Sequence, residues 1–251
     1  MTLQPWQWLV AVLAAMLVGL SKTGVAGIGL LVVVLFAQIV PAKEASGIVL
    51  PLLICGDLVA VASYRLHARW AHVVRLLPWT ALGVVLGSMA LGRIDDRQAR
   101  LLIGGIVIGL IALHVVRRRT AATGPATAAG AAPSHAWWFA PAVGVLAGFT
   151  TLVANAAGPL MIIYLLAMGL PKMEFVGTNA VFFLVLNLFK VPFMIHLGLI
   201  NDSSLPLNLK LVPAVLAGAW LGRKLLARLK QRMFENLALG LSALAGLKLF
   251  F

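Results

Sequence analysis

The sequence predicts an all-α polytopic membrane protein. It is expected to consist of two homologous four-segment halves, inverted relative to each other, with broken or re-entrant first and fifth segments. Composition, the lengths of the apolar runs and an internal repeat predict this. Of 251 residues, 62% are hydrophobic and 11% charged, with a mean hydropathy of +1.02. A soluble domain carries roughly 45–50% apolar residues, and a water-soluble fold of this size has no polar exterior to cover the excess. The chain belongs in a bilayer.

A helix crossing a bilayer needs about 20 apolar residues. The first stretch, 6–40, is too long for one crossing and is interrupted between Gly19 and Gly29 by Ser21, Lys22, Thr23, Gly24 and Gly27. It reads as two half-length helices around a broken segment. Runs of one crossing each follow at 45–64, 76–92 and 98–116. Residues 117–136 are small, punctuated by Pro and Gly and without periodicity, so they read as a cytoplasmic linker between an N-terminal repeat, 1–116, and a C-terminal repeat, 137–251. The second repeat opens on another long stretch, 137–170, broken between Gly148 and Gly158 around Thr150, Thr151 and Asn155. Single-crossing runs then lie at 175–197, 205–222 and 233–251.

The two halves align. Gly19, Gly29 and Leu31 recur as Gly148, Gly158 and Leu160. After a one-residue slip, Pro41, Glu44 and Gly47 recur as Pro171, Glu174 and Gly177. After a longer slip, Pro78, Gly83, Leu86, Gly87, Arg97 and Gly105 recur as Pro213, Gly218, Leu221, Gly222, Arg232 and Gly240. The shared order makes duplication a better account than chance.

Charge sets the orientation. Lys and Arg outnumber Asp and Glu by 20 to 7, a net charge of +13. The basic residues cluster between apolar runs (Arg65, Arg69 and Arg75; Arg117 to Arg119; Arg223, Lys224, Arg228, Lys230 and Arg232). That is the positive-inside pattern and not a nucleic-acid surface. Eight full crossings would put the 65–75 and 223–232 loops on opposite sides. If 6–40 and 137–170 dip in and return instead, all three basic loops become cytoplasmic and the halves inverted, as in many secondary transporters. Full crossings with a parallel repeat are the alternative. The N-terminal run lacks a basic leader and is expected to be retained. The single cysteine, Cys55, forms no internal disulfide.

Non-helical backbone at membrane depth survives only where protein or water satisfies it, so the two breaks mark an internal site. Each restarts as a half-helix, near Gly27–Gly29 and near Gly158-Pro159, with free N–H groups and the positive dipole end facing the break. Lys22 is either an anion contact in a wet site or a lysine snorkelling to a surface. Thr150, Thr151 and Asn155 add neutral donors. On the following helix, Asn179, Asn187 and Lys190 fall within an arc of about 80°, with Thr178 adjacent. Asp57, the only acid well inside an apolar run, aligns with Asn187. The cations that could pair with it are Lys22 and Lys190, and it is either a proton-coupling site or a fixed salt bridge to Lys190 of the other half. His114, His135 and His196 lack metal-ligand spacing, and neither a metal nor a cofactor is expected. Trp6, Trp8, Trp70, Trp137 and Trp138 read as an interfacial belt.

The Gly-rich break in the first segment, its echo in the fifth, the Pro171 to Asn179 stretch with Gly177-Thr178-Asn179, and duplicated halves of this length resemble the TauE/SafE family, also called the toluene sulfonate uptake permeases. The resemblance covers essentially the whole chain. It implies a multi-pass permease of the bacterial cytoplasmic membrane for small sulfur-containing anions such as sulfite or organosulfonates, driven by the proton gradient. By it, Gly24, Gly27, Gly29, Gly177, Thr178 and Asn179 become site positions. The first-half counterpart of the polar motif, Gly47-Ile48-Val49, lacks the polar pair. The expected partners are a small anion and the lipid bilayer, with no nucleic acid; the oligomeric state, monomer or homodimer, stays open. A membrane-embedded enzyme is the second function class. It would need paired carboxylates, a Gly-Asp motif in the membrane or an H-E-x-x-H helix, none of which is expected, and Ser21-Lys22 is the only nucleophile and base pair on offer. A structural subunit, the third class, would leave Lys22 and Asp57 without purpose.

Overall fold

The computed structural model describes residues 4–36, 38–40, 42–91, 137–200 and 205–248, with isolated positions 98, 105, 108, 109 and 112. The expected segment 98–116 and linker 117–136 lie almost wholly outside the described residues. Within them the elements are α1 (Pro5–Thr23), α2 (Gly29–Phe36), α3 (Ala42–Tyr64), a 3-10 turn (Arg65–His67), α4 (Trp70–Leu91), α5 (Phe139–Ala154), α6 (Gly158–Ala167), α7 (Lys172–His196), α8 (Leu205–Arg228) and α9 (Gln231–Lys248). Among the described residues, Pro5–Thr23, Ala45–His67, Trp70–Ala90, Lys172–His196 and Leu205–Arg228 are long and apolar enough to cross a membrane. Helices suit a bilayer because each satisfies its own backbone groups.

The breaks fall inside the intervals expected, but they are shorter and do not divide the stretches equally. Ser21, Lys22 and Thr23 remain in α1, and only residues 24–28 leave the helix. Likewise Thr150 and Thr151 stay in α5, and the second break is confined to 155–157. At 1.5 Å per residue α1 is about 28 Å long and α2 about 12 Å, so the expectation of two half-length helices is corrected to a long arm and a short one. The reason is local. Ser, Lys and Thr are tolerated inside a helix, and the chain departs at Gly24 (φ −144°), turning through Gly27 (φ 104°), and at Asn155 (φ 51°). Asn155 is the only non-glycine residue with positive φ among the described residues. Its N–H bonds the Thr151 carbonyl and that of Ala156 the Thr150 carbonyl, closing α5 in a left-handed cap. Beyond each break α2 packs on α1, and α6 on α5.

The most extensive helix contacts cross between the halves: α4 against α5 and α1 against α8, with α3 against α7 next. Glycines make the outer two pairs close. A Cβ on Gly19 would strike the backbone of Val215 and Ala219, and one on Gly148 the backbone of Thr80 and Val84. One on Gly218 would strike Met16, and one on Gly83 would strike Val145. Each contact has its counterpart at the aligned positions of the other half. With no water to expel between helices in lipid, such close backbone approach is a main source of association. Two buried apolar clusters result. One takes in residues of both breaks, Ala26 and Ala157, with Phe139, Tyr164, Phe175 and Phe182; the other joins α1, α2, α3 and α8 and includes Ala11, Ala15, Val32 and Phe36.

Candidate functional site

The two breaks line one cavity of about 50 Å³. Of the residues singled out in the sequence, Ser21, Lys22, Gly27, Gly29, Thr151, Asn155, Gly158, Asn179 and Asn187 border it. Gly29 begins α2, and Gly158 and Pro159 begin α6, so the N-terminal ends of both short helices open onto the same space. No side chain caps the α6 N-terminus. Its first N–H groups therefore remain available, and the dipole adds positive potential there.

One ammonium group, that of Lys22, lines this cavity, and a buried carboxylate, Asp57, and a second ammonium, Lys190, lie behind its lining residues. Lys22 extends from the last turn of α1, with its side chain 10% exposed, and places Nζ 2.8 Å from Oδ1 of the fully buried Asp57 on α3. Gly56 makes room for it: a Cβ there would lie 3.1 Å from Lys22 Cγ. Asn187 on α7 donates to Asp57 Oδ2 at 2.6 Å, and the Lys22 ammonium also lies 4.2 Å from the centre of the Phe183 ring. Asp57 is thus paired with Lys22 and not with Lys190, the other partner its sequence position allowed.

Lys190, on α7, is also fully buried. Its Nζ donates to Thr151 Oγ1 at 3.2 Å and to Asn155 Oδ1, both neutral acceptors beside the cavity. Asn155 in turn donates through Nδ2 to Ser46 Oγ at 2.9 Å and to the Ser46 carbonyl at 3.2 Å. A chain of polar contacts therefore runs from α3 through the second break to α7. The left-handed backbone at Asn155 presents one carboxamide to both neighbours. Asn179 borders the cavity with its Oδ1 unpaired among the described residues.

Four expected site residues point elsewhere. Thr23 donates to the carbonyls of Gly19 and Ala219, fixing α1 to α8, while Tyr64 donates to the Thr23 carbonyl. Gly24 lies against the backbone of Gly222. Thr150 bonds back to Leu146 within its own helix. Thr178 accepts the Arg69 N–H and so holds the 65–69 segment to α7, beside the Arg69 guanidinium paired through two contacts with Glu174. Sequence reasoning passed over Phe183, Ala26, Leu53 and Ile162, which line the cavity. Phe183 was findable, because it lies four residues from both Asn179 and Asn187 and so shares their face. Ser46 carried no signal of its contact with Asn155, which exists only through the tertiary fold.

Chemically, the arrangement sets two ammonium groups against one carboxylate, with two helix N-termini and several neutral donors, around a small cavity. Among the described residues no group of three His, Cys, Asp or Glu side chains is placed to hold a metal. The expectation that no Gly-Asp dipeptide lies in the membrane is corrected, since Gly56-Asp57 stands on α3; aspartyl chemistry needs facing carboxylates, and Asp57 faces Lys22 and Asn187 instead.

No curated protein and no solved structure matches the chain. A family model does: the sulfite exporter TauE/SafE model matches residues 9–249. That family consists of membrane transporters and not enzymes, which agrees with a multi-pass location in the cell membrane. The chain belongs to the TauE/SafE sulfite exporter family.

Proposed function

We propose that the protein carries a small sulfur oxyanion of the size of sulfite across the bilayer, binding it in the cavity between the two breaks. The observation that supports this most is the convergence on one cavity of two helix N-termini and the Lys22 ammonium, with a second ammonium, that of the buried Lys190, held directly behind Thr151 and Asn155 by neutral groups. A buried cation held by neutral groups alone draws a counter-ion, because an isolated charge is costly in a dry site. At roughly 10–15 Å³ per water, the cavity holds a few waters or one compact oxyanion. An extended organosulfonate needs a wider opening.

In this reading Lys22 and Ser21 approach the anion from the first break. Thr151, Asn155 and the α6 N-terminus approach it from the second, and Asn179 and Asn187 close the side. Lys190 lies behind Thr151 and Asn155 and supplies charge through them. The two halves are inverted, and alternating exposure arises from movement of the α1–α8 pair relative to the α4–α5 pair. Those are the closest interfaces, so a whole half is not the moving unit. Asp57 couples transport to protons.

Counterflow in proteoliposomes tests the reading. Internal sulfite should drive uptake of labelled sulfite; sulfate, acetate and chloride should compete weakly, and a Lys190→Met variant should be inactive. Equal counterflow with acetate or chloride, or none with sulfite, would overturn the substrate class. Serine-dependent hydrolysis of lipid or peptide would favour the enzyme class instead.

A further inference from the structure

Lys22 is the only cavity-lining cation, yet its charge is already matched. Asp57 Oδ1 lies 2.8 Å from it, and no second donor among the described residues serves that oxygen. Asp57 Oδ2 is held separately by Asn187. The carboxylate is fully buried and does not line the cavity, whereas Lys22 and Asn187 do. An anion entering the cavity therefore meets the far side of an ion pair. Lys190, the cation behind the cavity wall, has no carboxylate partner among the described residues. It is reached through Thr151 and Asn155.

We propose that Asp57 is a tethered competitor of the transported anion: in the empty site its carboxylate occupies Lys22, and the anion gains that ammonium only when Asp57 releases it and takes up a proton. The proposal rests on the anion-transport reading and deepens it. One proton from solvent binds one carboxylate oxygen as one negative charge arrives. For a monoanion the buried charge is unchanged, with two ammonium groups against one anion before and after. The Asn187 carboxamide suits both states, since turning it over presents an acceptor to the protonated acid. The charged groups acting on Asp57 from the packed helices are Lys22 on α1 and Lys190 on α7. Neither has another carboxylate partner among the described residues, so the exchange has one proton site.

The linkage is measurable. Anion and proton binding must favour each other by the same factor, so sulfite affinity of the wild type should weaken with rising pH beyond the change caused by titration of sulfite itself. Asp57→Asn removes the competitor while keeping a partner for Asn187. Binding of sulfite to purified protein would be measured at about pH 6 and about pH 8, together with the protons taken up per anion in weak buffer. The wild type should take up about one proton per anion more than Asp57→Asn, and approach a tenfold affinity loss per pH unit relative to it. At about pH 8 Asp57→Asn should bind more tightly than the wild type. Lys22→Gln, made in the Asp57→Asn background so that no charge is stranded, should bind more weakly than Asp57→Asn at both pH values. Equal proton uptake by wild type and Asp57→Asn, or weaker binding by a monodisperse Asp57→Asn, would overturn the competition while leaving the transport reading intact. Absence of sulfite binding by the wild type at both pH values would overturn that reading, and the competition with it.

Discussion

Replacing Lys22 by Met should destabilise the protein far more than replacing Lys22 and Asp57 together. Asp57 is fully buried and its ammonium partner is only 10% exposed. Removing the ammonium leaves a carboxylate with Asn187 as its remaining donor, and breaking a buried pair from one side costs about 3–5 kcal/mol. In Lys22→Met/Asp57→Asn the stranded charge is gone, Asn187 still has an acceptor, and the Met side chain fills the volume beside Phe183. Such neutral replacements are often isoenergetic or better, so most of the loss should return. Cys55, part-buried on α3 and the only cysteine, provides the assay. Heating detergent-solubilised protein with a thiol-reactive fluorophore reports when that helix opens. On the scale of soluble domains of similar length the single variant should melt on the order of 10 °C lower, and the double variant within a few degrees of wild type. Additive losses, with the double variant less stable than either single variant, would refute the claim that the two side chains act as one buried pair.

Other expectations are equally specific. Lys190→Met should leave the melting temperature unchanged or raised, because an apolar side chain replaces a fully buried charge, yet abolish sulfite counterflow; retained flux would exclude Lys190 from the site. Gly19→Leu and Gly148→Leu should each prevent accumulation of folded protein, since the atoms met are neighbouring backbone and the cost exceeds the ~1–3 kcal/mol of ordinary overpacking; normal yields in size-exclusion profiles would contradict the packing. Asn155→Gly should keep the left-handed turn but lose counterflow, whereas Asn155→Ala should lose counterflow and also melt lower by about 1 kcal/mol equivalent; wild-type flux in Asn155→Gly would assign the residue to backbone geometry alone. Cysteines placed singly at Arg69 and Arg228 in a Cys55→Ser background should label from the same face of sealed vesicles, and labelling from opposite faces would favour full crossings and a parallel repeat.

Much of the fold was legible because the bilayer simplifies the code. Apolar runs had to be helices, and glycine with small polar residues had to mark the places where helices stop. Lys22, Asn155, Asn187 and Asp57 were visible for the same reason, since a polar side chain in such a run needs a partner. The extent of each break was not legible. Ser21, Lys22 and Thr23 look disruptive by polarity, but helix geometry accepts them, and the chain turns only after Thr23. Nor did the sequence separate Thr151, which faces Lys190, from Thr150, one residue earlier and bonded into its own helix. Adjacent helical residues point about 100° apart, and which direction is inward depends on neighbours that the local sequence does not name. The pairing of Asp57 with Lys22 over Lys190 was undecided for that reason too.

The reciprocal glycine contacts carry a consequence for how the molecule comes into being. Each half keeps its closest seat on the other: Gly19 and Met16 fit α8, while Gly83 meets Val145 and Gly148 meets α4. Neither half is complete when it leaves the ribosome. The first must wait in the lipid with its small-residue flanks unmatched until the second is threaded in, like two hands clasping rather than two beads on a string. Made as separate polypeptides, the halves should be degraded singly and recovered together.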